Sequence, residues 1–226
     1  MQKNLKLKSR YITLNGKPRI YNSNIPVVGL TGGIASGKST VSNILRDNGL
    51  TVICGDTLTK EIYKEKESID FIKDNFPTCI TADSEIDFSS LRKEFFNNPK
   101  SKQLIENYIW SKHPIFFHKF INKAKAENQN FIIYDYPIIF EQTLHHLFDI
   151  IFVVYTDKET QKKRLKLRDK NNMSDLLIEK ILSTQMPMEQ MIKLVDSKQV
   201  INNCNNCDNQ ESLQLEVKRI LQEFFA

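Results

Sequence analysis

A lysine and a hydroxyl residue placed at the end of a glycine-framed loop form a combination suited to handling phosphate. The stretch Val27-Val28-Gly29-Leu30-Thr31-Gly32-Gly33-Ile34-Ala35-Ser36-Gly37-Lys38-Ser39-Thr40 contains it. Within that stretch, Gly32-x-x-x-x-Gly37-Lys38-Ser39 fits the phosphate-binding P-loop pattern. Glycines let the main chain wind closely around a polyphosphate, so that N–H groups across Gly32, Gly33, Ile34, Ala35, Ser36, Gly37, Lys38, Ser39 and Thr40 face its oxygens. A helix starting after Gly37 adds its positive end. In this chemistry Lys38 reaches the β- and γ-phosphates of ATP, and the Ser39 hydroxyl ligates Mg²⁺.

Other side chains could act with this loop. Asp56 follows the apolar run Leu50 to Cys54. A carboxylate at the carboxyl end of a strand lies where open α/β sheets bind ligands, and there it suits a catalytic base; a helix N-cap is the alternative. Asp135 follows the apolar run Phe131 to Tyr134 and could hold Mg²⁺ through water, contact substrate, or cap the segment after it. His113, just before Pro114, could touch substrate or be structural. From Asp157 to Lys170 seven of fourteen residues are basic. Gln161, Arg164 and Arg168 share one helical face there, at i, i+3 and i+7. That face suits a lid over phosphates, and a solvated charged helix is the alternative.

These residues need elements to position them. The apolar runs at 26–30, 50–54, 131–134 and 149–155, with a short one at 199–202, read as strands, and helical patterns lie between them. Helices are expected over 38–48, 57–66, 174–192 and 210–225, and 68–128 reads as mostly helical with breaks at Pro77, Asp83 to Asp87, Pro99 and His113-Pro114. Two further sites of interest are Cys204-x-x-Cys207, which could be half of a metal site or part of an exposed Asn-rich loop, and the stretch 1–24. The latter holds six of the 32 Lys and Arg residues and no acid. It reads as a loosely packed basic tail, with an added strand or a targeting peptide as alternatives.

Beyond residue 24 the balance is 26 basic against 27 acidic residues, so the body is no basic platform for nucleic acid. No apolar run approaches a membrane span. Four cysteines in 226 residues do not form a disulfide framework, which fits a reducing compartment and a cytoplasmic location, or an organelle if 1–24 is a transit peptide. The 40% hydrophobic content supports a single α/β domain over 25–226. All seven glycines lie within the first 55 residues. A GTPase Asp-x-x-Gly switch and a glycine-bearing transporter signature therefore cannot be written downstream of the loop. A small-molecule kinase remains.

Together these residues resemble the dephospho-coenzyme A kinases over about residues 26–203. The resemblance rests on Gly29-Leu30-Thr31-Gly32-Gly33-Ile34-x-Ser36-Gly37-Lys38-Ser39, Asp56, Ile86-Asp87, His113-Pro114 and Asp135-x-Pro137-Ile138-Ile139-Phe140-Glu141. It continues through Gln161-x-x-Arg164-Leu165-x-x-Arg168, Gln185 ahead of Pro187, and Val200-Ile201-x-Asn203. It implies a P-loop kinase core with a five-stranded parallel sheet flanked by helices, a helical acceptor-binding region near 57–128 and a small lid near 157–175. It also implies transfer of the ATP γ-phosphate to the ribose 3′-hydroxyl of dephospho-CoA by a monomer or weak homo-oligomer. Asp56 would accept or orient the hydroxyl proton, while Lys38, Arg164, Arg168 and Mg²⁺ offset developing charge.

Four positions depart from the family pattern. Ala35 replaces a usual glycine, which a Cβ tolerates where φ is negative. Cys54 stands in place of an aspartate and Phe88 in place of an arginine. Residues 196–199 are two longer than usual before the Val-Ile pair. The Lys, Ser, Asp and lid arginines are all kept, so activity is expected. A kinase for another alcohol and a binding-only protein are the competing readings.

Overall fold

The computed structural model describes residues 5–170, 172–204 and 210–226. Cys207, most of the Asn-rich stretch around it and residues 1–4 of the expected tail lie outside the described residues. Five strands, β1 (Val27–Thr31), β2 (Val52–Cys54), β3 (Ile132–Asp135), β4 (Ile150–Tyr155) and β5 (Val200–Asn202), form a parallel sheet in the order β2-β3-β1-β4-β5. The helices are α1 (Lys38–Asp47), α2 (Gly55–Tyr63), α3 (Lys66–Asn75), α4 (Phe88–Asn97), α5 (Pro99–Ala126), α6 (Lys158–Arg168), α7 (Asp175–Leu182), α8 (Met188–Met191) and α9 (Gln210–Phe224). The chain divides into two compact units, residues 1–53 with 121–226 and residues 54–120.

In the first unit β1 is the central strand, and all five of its residues are buried. A strand covered on both faces has no need of alternation, which explains the unbroken run VVGLT. On one face Val28, Leu30, Ile133, Phe152 and Val154 alternate along their strands and meet Val41 and Leu45 of α1 and Leu213, Val217 and Ile220 of α9. The strand period of two and the helix period of about 3.6 converge on a single core. Parallel pairing sets Leu30 level with Asp135 on one side and Phe152 on the other. Asp135 therefore sits at the end of β3, beside the point where the chain leaves β1.

Residues 5–24 are not a loose tail. Leu7, Leu14 and Ile20 are buried, and Leu7 bridges Phe225 in antiparallel fashion, with Lys6 and Ala226 exchanging backbone bonds at 2.8 Å. The arm is also latched by Asp149. Its carboxylate accepts from Arg19 Nε at 2.6 Å and Nη2 at 2.9 Å, from the Leu14 N–H at 3.1 Å and from the Val27 N–H at 3.0 Å. The stretch looks like a tail in sequence because the acidic partners of Arg10 and Arg19, Glu223 and Asp149, are more than a hundred residues away.

Two other expectations are corrected. The helix expected over 174–192 stops at Leu182 and resumes at Met188, since Pro187 disfavours helix at the residue before it. Pro114, by contrast, does not break α5. A proline inside a helix costs on the order of 3 kcal/mol. Here Ile105, Ile109, Phe116 and Phe117 are buried on both sides of it and keep the helix in one piece. The longer segment before β5 holds a short 3₁₀ turn, Ser197–Gln199, closed by a capping box from Asp196.

The second unit is helical. Leu58, Ile62, Ile72, Leu91 and Phe117 are buried within it, and Phe71 stacks on Tyr108 with centroids 3.9 Å apart. Asp87 caps α4 through the N–H groups of Ser89 and Ser90, and Phe88, 54% exposed, packs edge-on against Tyr63.

The Asp149 latch carries a pH signature. Burial pushes this carboxyl up, but Arg19 and the Val27 and Leu14 N–H groups outweigh burial and hold it below its ordinary value. A folded-state pKa below the unfolded one, near 3.9, contributes stability above that value and loses it as pH falls through the folded pKa. Asp149→Ala should cost about 3–5 kcal/mol in urea unfolding at pH 7, because Arg19 is left half-buried and unpaired. The difference from wild type should shrink below about pH 4, and a difference that stays constant with pH would contradict the latch.

Candidate active site

The chain leaves β1 at Thr31 and enters α1 at Lys38, so six residues must turn it around at the edge of the sheet. Gly37 does so with φ of +93°, and a Cβ there would collide with the Asn203 amide. At Gly32 a Cβ would lie 2.6 Å from the Val154 carbonyl oxygen. Ala35, whose Cβ is tolerated easily only at negative φ, sits at +60° in the left-handed region. A non-glycine residue there costs about 1–2 kcal/mol, so neighbouring groups have to hold it.

Those groups lie on three segments of the same unit. On α6, Gln161 Nε2 donates to the Ile34 carbonyl at 2.7 Å, and Arg164 Nη1 donates to the carbonyls of Ala35 and Ser36 at 3.2 Å each. After β5, Asn203 Nδ2 donates to the Ser36 carbonyl at 2.7 Å, while its own carbonyl accepts from Arg164 Nη2 at 3.0 Å. Between α7 and α8, Gln185 Oε1 accepts from the Ile34 N–H at 2.7 Å, and at the start of α8 Met188 Sδ accepts from the Gly33 N–H at 3.0 Å. Gln161, expected against substrate, is thus a buried contact of the loop's backbone.

At the loop's exit, Lys38 Nζ pairs with Asp135 Oδ1, and Asp135 Oδ2 accepts from Ser42 Oγ at 2.6 Å. Lys38 and Ser42 are one helical turn apart and so share the face of α1 that meets β3. Asp135 is 2% exposed and caps no helix; it anchors the lysine. Ser39 and Thr40 are exposed in the first turn of α1. Ser36, 1% exposed, keeps a buried Oγ with no hydrogen-bond partner. The exposed Ser39 hydroxyl and the Asp135 carboxylate are hard oxygen donors. Among the described residues no group of three or more His, Cys, Asp or Glu could hold a metal by itself.

The basic helix α6 divides its charges. Lys158 and Lys162 both pair with Glu179 of α7 at 2.8 Å and hold its carboxyl down to about 2, and Lys166 pairs with Asp175 at 2.6 Å. Gln161 and Arg164 face the loop on a separate stripe. Arg168 continues that stripe but is exposed, with no ion pair among the described residues.

Asp56 and His113 belong to the second unit. Cys54, not Asp56, is the N-cap residue of α2; Asp56 lies in its first turn, exposed, with no hydrogen bond or ion pair among the described residues. His113 is 4% exposed, and its Nε2 lies 3.0 Å from Thr59 Oγ1 of α2. Burial pulls its pKa down to about 4, so the ring is neutral near pH 7. The roles of Gln185, Met188, Asn203 and Ser42 are not visible in the motif itself. The family resemblance marks Gln185 and Asn203 without their contacts, the i, i+4 spacing from Lys38 points to Ser42, and Met188 carried no signal.

Comparisons with known proteins give the family and the fold. The family model for dephospho-CoA kinases matches residues 26–209. The dephospho-CoA kinase of Carboxydothermus hydrogenoformans is 35% identical over 205 residues, covering 88% of this chain and 95% of its own. That of Fusobacterium nucleatum is 36% identical over 189 residues, covering 82% and 93%. Among solved structures, the dephospho-CoA kinase from Campylobacter jejuni superposes with a TM-score of 0.64 at 25% identity, covering 87% of this chain and 96% of its own. The TT1252 protein from Thermus thermophilus, at 24% identity and a TM-score of 0.68 over 88% and 96%, shares the fold. With its phosphate loop, its lysine-aspartate pair and these relatives, the chain belongs to the dephospho-CoA kinase family.

Proposed function

We propose that this chain transfers the γ-phosphoryl group of ATP to the ribose 3′-hydroxyl of dephospho-CoA. The observation that carries the reading is the phosphate loop, wound left-handed at Ala35 and Gly37 and opening into α1 with Lys38 and Ser39. Lys38, steadied by Asp135, takes the β- and γ-phosphates, and the N–H groups from Gly37 onward take the remaining charge, since those of Gly33 and Ile34 are already bonded to Met188 and Gln185. Ser39, with Asp135 through water, would hold Mg²⁺, which supplies charge neutralisation on the two terminal phosphates. Arg164 already grips the loop, and Arg168, exposed on the same helix, is the lid charge for the transferring group.

Asp56 is the residue for the acceptor. Its carboxylate is exposed and uncommitted among the described residues, as a group that takes a hydroxyl proton must be. His113 acts on it indirectly. Neutral and bonded to Thr59, it steadies α2 three residues beyond Asp56, a support for the base in place of the substrate contact suggested by the sequence. The reading goes with a cytoplasmic enzyme working on small molecules. Among the described residues no helix is long and apolar enough to cross a membrane.

Incubation with ATP, Mg²⁺ and dephospho-CoA, followed by phosphorus NMR of the product, tests the reaction. A new 3′-phosphomonoester is expected, and preferred phosphorylation of a nucleoside monophosphate in parallel would overturn the acceptor assignment. Asp56→Asn should lower kcat about a hundredfold or more with the KM for ATP within about twofold; unchanged turnover would remove Asp56 from the mechanism. Ala35→Gly should leave kcat within about twofold and raise stability by up to about 1 kcal/mol, because relief of the left-handed alanine exceeds the added freedom of the unfolded chain. A lower melting temperature would contradict the strain at Ala35.

A further inference from the structure

The Ile34 backbone unit is gripped on both of its polar groups by two glutamines. Gln185 Oε1 accepts from its N–H and Gln161 Nε2 donates to its C=O, each at 2.7 Å. A backbone N–H only donates and a C=O only accepts, so each amide's orientation is fixed by its partner. Ile34 immediately precedes Ala35, the residue in the strained left-handed conformation.

Both glutamines are themselves held. Gln161 sits on α6 one turn from Arg164, whose guanidinium takes the next two carbonyls of the loop. Gln185 lies in the segment between α7 and α8, where the following N–H, that of Met186, donates to Glu141 Oε1 at 2.9 Å. Three residues on, Met188 Sδ takes the Gly33 N–H. The loop therefore meets a fixed row of partners at residues 33 to 36, leaving the N–H groups beyond them for phosphate.

We propose that Gln185 and Gln161 are positioning residues for ATP: by fastening the N–H and the C=O of Ile34, they set the turn at Ala35 that aims the following N–H groups at the phosphates. The inference rests on the reading of the loop as an ATP site and adds the groups that shape it. Neither glutamine reacts. Both act through the backbone.

The opposite polarity of the two contacts provides the test. Gln185→Glu keeps an acceptor oxygen for the Ile34 N–H, whereas Gln161→Glu sets a carboxylate oxygen against the Ile34 carbonyl. Both variants add one negative charge beside the same backbone unit, so repulsion of the nucleotide is common to the two. Calorimetric titration with Mg-ATP should show Gln161→Glu binding at least about tenfold more weakly than Gln185→Glu, with the KM for dephospho-CoA alike in both. Equal affinities, or the reverse order, would overturn the proposal, since glutamines that merely fill space would be insensitive to polarity. Should Gln161→Glu fail to fold, Gln185→Leu decides: ATP affinity about tenfold below wild type at an unchanged melting temperature supports the role, and wild-type affinity overturns it. A wild-type protein that binds ATP but leaves dephospho-CoA unphosphorylated would contradict the kinase reading while leaving this comparison intact.

Discussion

The structure depends on one constraint, the sharp exit from a fully buried strand. β1 is covered on both faces and cannot shift without disturbing the core, yet the residues just beyond it must present N–H groups to a bulky anion. The chain meets that demand with left-handed backbone at Ala35 and Gly37. At Ala35 this costs about 1–2 kcal/mol, and a hydrogen bond is worth about 1 kcal/mol net, so the contacts from α6, the 183–188 segment and Asn203 are enough to hold the turn. The elements that follow β4 and β5 in sequence, which flank β1 on one side of the sheet, supply most of those contacts.

The same unit fixes the other end of β1. Asp149, just before β4, bonds the first N–H of β1 and the guanidinium of Arg19. One buried carboxylate thus ties together the N-terminal arm and the starts of two adjacent strands, while at the carboxyl ends Asp135 ties β3 to α1 through Lys38 and Ser42. Both carboxylates have their charge matched by one basic side chain and further donors, the arrangement in which a buried ion is tolerated. The alignment of β1 between β3 and β4, and with it the origin of the phosphate loop, is set from both ends.

Much of this is legible in the residues alone, because it depends on local spacing. The loop is spelled by glycines and a Lys-Ser pair, and the strands by short apolar runs. Arg164 is singled out by its place three positions after Gln161, and the structure sets it on the carbonyls of Ala35 and Ser36. What the sequence does not reveal depends on partners distant in the chain. The basic arm looks unpaired until Asp149 and the backbone of residues 222–226 come beside it. Gln161 looks like a substrate ligand because nothing local announces Ile34 as its acceptor. Pro114 looks like a helix break because burial of Phe117 and its neighbours, which outweighs the lost bond, is a tertiary fact. At Ala35 the sign of φ is hidden in the sequence, and only the contacts around the residue hold it in the left-handed region.

The protein's own side chains shape the phosphate loop before any nucleotide arrives. Amide hydrogen exchange on the nucleotide-free protein tests this most directly, at the two N–H groups with side-chain acceptors, those of Gly33 and Ile34. Both should exchange far more slowly than amides of an open surface loop, with little further slowing when ATP is added. Exchange at the rate of an unstructured peptide, becoming slow only with ATP, would show that the nucleotide builds the loop and would contradict a preformed one.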